Sequence, residues 1–433
     1  MQTVNIGLIG GGTVGGGVYK ALRRNGALMA SRLGVRLRVA RVAVRNVRRT
    51  RAVKLPRTML TSNWKSVVED PKVDLVAELV GGTTVAREVA LAALRAGKPV
   101  VTANKALLAF HGEQLFKTAR QHGANLYYEA SVAGGIPIIK VLREGLAGNR
   151  ITRLYGILNG TCNFILTQMQ QQGVDFDEAV AEAQAQGYAE ADASLDVDGH
   201  DAAHKAGILA SLAHGFWVEP RRVYTEGIRR ITPLDLEFAE TLGYTIKLLG
   251  IVKGNGGSPV QVTVYPALIP SGHVMASVAG VYNAILVRGD VVGDTLYYGQ
   301  GAGQDATASA VLSDLADAAL DLKHGTPDRR HAFVPHDTNG AVQSIDSVNC
   351  SFYLRLSVVD RPGVLAQVAS ILARGKIGIS SVIQPEGHEG ASVPLILMIH
   401  DAPNAAMQKA QAAIRRLKAV KGDPVLLRVE DFS

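Results

Sequence analysis

The chain has 433 residues, 47% apolar and 19% charged, with 2 cysteines and a formal charge of +8. That length supports two or three domains around a sizeable core, and the apolar share excludes an intrinsically disordered chain. No apolar run reaches the roughly eighteen residues a bilayer-spanning helix needs, which argues against a membrane role. The N-terminus, MQTVNIGLIGGG, shows no charged leader segment. Cys162 and Cys350 stand far apart in no metal-ligand spacing. A reduced, cytoplasmic setting is expected.

The charge is concentrated. Residues 1–68 contain fourteen Lys and Arg and no acid, leaving the remainder at −6. A uniformly basic surface would point to nucleic acid; an isolated cluster at Arg45, Arg48, Arg49, Arg51 and Lys54, with no recognised DNA- or RNA-binding module, reads instead as a pocket for a phosphorylated ligand.

In chain order, residues 4–9 (VNIGLI) predict a buried strand running through GGGTVG into a helix. At such a turn Gly10 serves the tight reversal, Gly12 the approach of a pyrophosphate and Gly15 the packing of helix on strand. Thr13 and Val14 complete the loop, and the helix N-terminus offers amide donors to an anion. A second strand over 37–44 ends at Arg45. An acid there would accept from a ribose 2′-hydroxyl, whereas an arginine suits a 2′-phosphate, favouring NADP with NAD as the lesser option. Strands and helices keep alternating through 74–80, 86–96 and PVVTANKALL, with Lys105 just beyond the strand end. That alternation predicts a parallel doubly wound sheet of Rossmann type with ligands at the carboxyl ends of its strands.

Glu129 precedes the Gly-rich stretch ASVAGGIP, where a sharp turn could offer carbonyls to a cation beside the carboxylate, although a plain turn explains the residues as well. Helical patterns follow over 162–172, 177–186, 201–214 and 238–249, with a strand over 259–265. The acidic stretch GYAEADASLDVDGHDAAHK leads into the third of these helices. Asp201 and Lys205, four residues apart, share a helix face; alone they read as a surface ion pair on a solvated loop. A second Gly-rich loop, YGQGAGQDATASA, opens another helix.

Together these motifs (GLIGGGTVG, VVTANKALLA, SVAGGIPI, LNGTCNFIL, the stretch 187–205 and YGQGAGQDATASA) closely resemble homoserine dehydrogenases over residues 1–320. Ala193 and Ala306 depart from the family's prolines, which affects loop rigidity. The resemblance implies NAD(P)H-dependent interconversion of aspartate 4-semialdehyde and L-homoserine. It makes Lys205 the general acid/base, with Lys105 beside cofactor and substrate, and gives the substrate Glu190, Asp196 and Asp201. It adds Gly187 and Gly303 to the cofactor contacts, and implies a monovalent cation, sodium, at Glu129, Val132, Gly134 and Ile136. Burial and a neighbouring ammonium are expected to lower the lysine pKa from its ordinary value of about 10.4.

Past a polar linker, residues 352–359, 364–372, 377–383, 393–400, 404–417 and 425–429 read as β-α-β-β-α-β, a ferredoxin-like unit. Its DRPGVL start resembles the ACT domain, implying a paired module that binds an amino acid, with threonine as the expected effector near 360–365. The expected division is a cofactor domain over 1–130, an α+β substrate and dimerisation domain over 131–320, a linker over 321–348 and the ACT unit over 349–433, in a homodimer or homotetramer. Two other readings stand beside this one. An amino-acid-sensing regulator with a vestigial cofactor fold would lack the need for both lysines. A phosphorylating semialdehyde dehydrogenase would need a nucleophilic cysteine, which neither Cys162 nor Cys350 resembles.

Overall fold

The computed structural model describes residues 1–255, 259–327, 329–385 and 392–432. The first unit is β1 (Gln2–Ile9), α1 (Thr13–Leu33), β2 (Val35–Ala43), β3 (Leu60–Thr61), α2 (Lys65–Val68), β4 (Leu75–Glu78), α3 (Thr84–Arg95), β5 (Val100–Thr102), α4 (Lys105–Gln121) and β6 (Leu126–Tyr127). Its six strands run parallel in the order β3-β2-β1-β4-β5-β6. The chain reverses its direction of winding between β1 and β4, which opens the crevice where such sheets bind ligands. The central strand β4 is buried along its whole length, as a parallel strand covered on both faces must be.

The middle unit comprises α5 (Ile138–Lys140), β7 (Ile151–Ile157), α6 (Gly160–Gln172), α7 (Phe176–Ala185), α8 (Ser194–Val197), α9 (His200–His214), β8 (Tyr224–Thr225), α10 (Pro233–Thr241), β9 (Tyr244–Lys253), β10 (Gln261–Pro270), β11 (Tyr282–Gly289), β12 (Gly293–Gln300) and α11 (Gln304–His324). The helix expected over 238–249 is two elements. A capping box between Thr232 and Asp235, with Pro233 in the first turn, starts α10 early. Gly243, at φ 81°, then ends it, and residues 244–253 become a fully sheeted strand. Helical spacing of apolar residues there was the by-product of a strand buried on both faces.

Helix α11, assigned from sequence to the middle domain, packs in the core of the first. Its Ala308, Val311, Leu315, Ala318 and Ala319 join Val18 and Leu22 of α1. Gly17 of α1 makes this possible, since a Cβ there would lie 2.8 Å from Gln304.

The C-terminal unit is β13 (Asn349–Val359), α12 (Val364–Arg374), β14 (Ile379–Ile383), β15 (Ser392–Pro403), α13 (Asn404–Arg415) and β16 (Val420–Val429). Its antiparallel order β16-β13-β15-β14 is ferredoxin-like. This sheet is not separate. A short parallel pairing of β16 with β10, Ala267 to Arg428 and Leu268 to Val429, joins it to the middle sheet β12-β11-β7-β9-β10. The linker runs over the junction of the first two units, where Phe333 packs with Phe116 and Trp217.

Candidate active site

The Gly-rich turn has the cradle its spacing predicts. Gly10 adopts φ 107°, and a Cβ there would lie 2.5 Å from the Leu79 carbonyl; only glycine fits. At Gly15 a Cβ would fall 2.0 Å from the Gly10 carbonyl, whereas at Gly12 it would meet open space, the room a pyrophosphate needs above the first turn of α1. Thr13 and Val14 begin that turn, and the Thr13 carbonyl accepts from Gln304 Nε2 at 3.1 Å. That bond brings the second Gly-rich loop, with Gly303 at φ 114°, to the first. Gly187, at φ 76°, follows α7 on an exposed loop.

Beyond β2, Arg45 is exposed and makes no ion pair among the described residues. Arg51, which sequence reasoning placed only within the basic cluster, is half-buried. Its guanidinium donates to the carbonyls of Arg49 and Asn46, and its Nε would lie 3.5 Å from a Cβ on Gly11. The loop beside the dinucleotide turn is therefore organised around a cation.

Lys105 opens α4 at the carboxyl end of β5. Asn104 caps that helix, accepting from Leu107 N at 3.0 Å. Lys205 lies on α9, which approaches β9 closely where Ala206 faces Gly250. Residues exactly one hundred apart in sequence thus reach one carboxylate. Lys105 Nζ lies 2.9 Å from Asp201 Oδ1, and Lys205 Nζ lies 2.8 Å from Oδ2. Lys205 also donates to the Leu158 carbonyl at 2.6 Å. Asp201 is 4% exposed. Burial works to protonate its carboxyl, but the two ammonium groups overcome burial and hold it well below the usual carboxylate range.

Asn159 is the residue sequence reasoning missed. It caps α6, accepting from Cys162 N at 2.8 Å, and its Nδ2 donates to Asp196 at 2.7 Å and to Asp201 at 2.9 Å. The signal was present in LNGTCNF, where an Asn-Gly pair directly precedes a helix. Asp196 is half-buried and its carboxyl is pushed up, chiefly by burial. Glu190 is exposed, close enough to strengthen the charge on Lys105.

One expectation is corrected. Lys105 is not lowered: the Asp201 carboxylate, against the opposing effect of burial, raises it. The second ammonium is present, but a carboxylate stands between the two.

The third feature is the turn after Glu129. Both Glu129 carboxylate oxygens accept backbone N–H groups of α5, from Ile139 and Lys140 at 2.8 Å each, and burial pushes the carboxyl up to about 7. The side chain expected beside a cation is therefore engaged at a helix start. The backbone of the turn is what remains, reversed by Ala133 at φ 53° and Gly134 at φ 40°. The carbonyl of Ile136 accepts from Ile138 N. Among the described residues no cluster of three or more His, Cys, Asp or Glu could hold a metal ion.

Comparison with known proteins agrees with this geometry. The family model described as the homoserine dehydrogenase NAD-binding domain matches residues 10–129, and that of homoserine dehydrogenase itself matches 137–316. The homoserine dehydrogenase of Pseudomonas aeruginosa is 45% identical over the full length of both chains, and that of Neisseria gonorrhoeae 41%. The crystal structure of a homoserine dehydrogenase from Thiobacillus denitrificans superposes with a TM-score of 0.93 at 44% identity, covering 100% of this chain and 99% of that one. A hyperthermophilic archaeal homoserine dehydrogenase in complex with NADPH covers 74% of this chain, with a TM-score of 0.62 at 28% identity. The glycine cradle and the paired lysines, seen beside full-length relatives of this identity, establish that the chain belongs to the homoserine dehydrogenase family.

Proposed function

We propose that the cleft around Asp201 is where this NAD(P)-dependent oxidoreductase interconverts L-aspartate 4-semialdehyde and L-homoserine, as a step in the biosynthesis of threonine, methionine and isoleucine. The observation that carries the reading is the pair of ammonium groups, from different domains, held on the two oxygens of one buried carboxylate.

The nicotinamide, when bound, supplies or takes the hydride at the carbonyl carbon. The chain's own residues handle the proton and the orientation. Lys205, with its other N–H groups engaged by Asp201 and Leu158, keeps donor capacity toward the cleft; it protonates the oxygen as the aldehyde is reduced and removes that proton in the reverse direction. Lys105 polarises the same oxygen. Asp201 holds both lysines in register and meets the substrate with Asp196 and Glu190, whose carboxylates receive its ammonium and hydroxyl. Gly10, Gly12, Thr13, Val14, Gly15, Gly187 and Gly303 line the cofactor, with Arg45 on a 2′-phosphate, so NADP is preferred over NAD.

Carbonyls of Glu129, Val132, Gly134 and Ile136 would hold a sodium ion and so fix the turn packed against Gln300 and Gly301. The C-terminal unit acts as an ACT domain. Threonine is its effector, at the start of α12, where a cleft of about 540 Å³ is lined by Arg361, Pro362, Val364, Gln367, Arg416 and Lys418. The active species is a homodimer or homotetramer, a reading supported by the edge strand β12, whose exposed Tyr298 stacks on Tyr282 at 5.1 Å. The setting is cytoplasmic, in keeping with two unpaired cysteines.

The decisive experiment is a spectrophotometric assay of homoserine with NADP or NAD, with and without threonine. Turnover faster with NADP and slowed by threonine is expected. No turnover overturns the assignment of the site, and an indifferent response to threonine removes the sensor.

A further inference from the structure

Arg428 is 1% exposed, the largest fully buried side chain among the described residues, yet it belongs to β16 of the C-terminal unit. Its guanidinium donates to Glu226 through Nη1 at 2.9 Å and Nη2 at 3.2 Å, to Asn404 Oδ1 at 2.8 and 3.2 Å, and to Tyr224 Oη at 3.3 Å. The Tyr265 ring centroid lies 4.6 Å from its central carbon. Burying such a group is costly unless its partners are fixed, and here they are.

Glu226 is not a neutral anchor. It lies in the segment after β8, its N–H bonded to the Val264 carbonyl at 2.8 Å. The next residue, Gly227, is seated so tightly on the substrate loop that a Cβ would fall 2.1 Å from the Val197 carbonyl and 2.5 Å from Asp198 Cα. Ile228 N then donates to the Val197 carbonyl at 2.8 Å. Arg229 forks onto Asp198 and donates to Ser194 Oγ at 3.0 Å. On the other side of the same loop, a Cβ on Gly199 would meet the Glu226 carbonyl at 3.1 Å. Val197, Asp198 and Gly199, followed by His200, connect Asp196 to Asp201.

We infer that Arg428 is a positioning residue for the substrate site: through Glu226 it clamps residues 224–229 on residues 197–199, and so sets where Asp196 and the first turn of α9 stand. The inference rests on the proposed substrate role of Asp196 and Asp201. Other ties between the same two units, such as Arg355 to Asp235 at 2.6 Å, reach α10 instead of the loop and serve as an internal control.

The test is steady-state kinetics on the full-length enzyme, with KM for homoserine and for NADP measured separately and folding followed by thermal melting. Arg428→Met and Glu226→Gln are each expected to raise KM for homoserine about tenfold, as a loop displaced by a fraction of an ångström does, with KM for NADP within about twofold. The double variant should be no worse than either single one. Arg428→Lys should recover part of the loss, and Arg355→Met should lower the melting temperature without moving KM. Glu226→Gln reads the clamp from the loop side if Arg428→Met does not fold. Asp196→Asn, run in parallel, separates two failures. If it raises KM for homoserine while the Arg428 and Glu226 variants do not, the clamp is wrong. If all three leave KM unmoved, the substrate assignment falls and the clamp with it. Equal rises in both KM values also overturn the clamp, because they mark general damage.

Discussion

Two buried charge clusters in this molecule have nearly the same ingredients and opposite characters. At Asp201 two ammonium groups share one carboxylate. At the domain junction the Arg428 guanidinium is surrounded by Glu226, Asn404 and Tyr224, while Glu430 takes Lys253 at 2.7 Å and Tyr265 at 2.8 Å. The first cluster has more cation than anion and leaves a lysine donor unspent, so it can bind and protonate. In the second all three guanidinium nitrogens of Arg428 donate to fixed acceptors, and the Glu226 and Glu430 carboxylates are each matched by one cation, so it holds. Burial is common to both, and what separates reactive from structural charge is whether the hydrogen-bonding capacity is used up.

The sharpest way to break this comparison is Lys205→Ala. Hydride transfer should fall by about a thousandfold or more, while NADPH binding, followed by nucleotide fluorescence, stays within about twofold. Equal loss of both would place Lys205 among the holding residues. Next, Arg355→Met leaves the fully buried Asp235 carboxylate without its fork. It should cost about 3 kcal/mol of stability in urea denaturation with kcat unchanged; a fall in kcat at constant stability would blur the distinction. Arg45 extends the comparison to an arginine whose guanidinium makes no ion pair among the described residues. Arg45→Asp should move the NADP to NAD ratio of kcat/KM by about tenfold toward NAD, and an unmoved ratio would transfer the phosphate to Arg51 or its neighbours.

The smallest effect concerns a half-buried group with an unused position. His214 is pushed down to about 4 by burial, and its Nε2 has no hydrogen-bond partner among the described residues. Above pH 6.5 it is neutral folded or unfolded and contributes no pH dependence. Between 6.5 and about 4 the unfolded chain takes up a proton that the folded chain refuses, so stability falls as pH falls, by at most about 1.4 kcal/mol per pH unit. His214→Phe should flatten that part of the profile, measured as urea midpoints at pH 5 and 7. An unchanged slope would mean the ring is solvated.

Much of the molecule was legible before folding. Local chemistry governs the glycine turn, since only glycine reaches φ 107° at Gly10, and the helix expected from Asp201 starts one residue earlier, at His200. The β-α-β-β-α-β order of the C-terminal unit was readable because β13 alternates and α12 and α13 each bury one face. The strand β9 was misread as helix because burial on both faces erases the alternation that marks a strand. That helix α11 packs in the core of the first unit could not be read from its own residues, since nothing in them says which sheet it returns to.

The amino-acid sequence alone determined the parallel cofactor sheet, its glycine cradle, and which residues are able to react, because these follow from backbone sterics and side-chain type over short stretches. Only the tertiary structure decided that Lys105 and Lys205 share Asp201, that Lys105 is raised rather than lowered, that the Glu129 carboxylate is engaged at a helix start, and that Arg428 holds Glu226 beside the loop between Asp196 and Asp201. Those outcomes depend on distances between parts of the chain up to two hundred residues apart, and charge responds to neighbours in space.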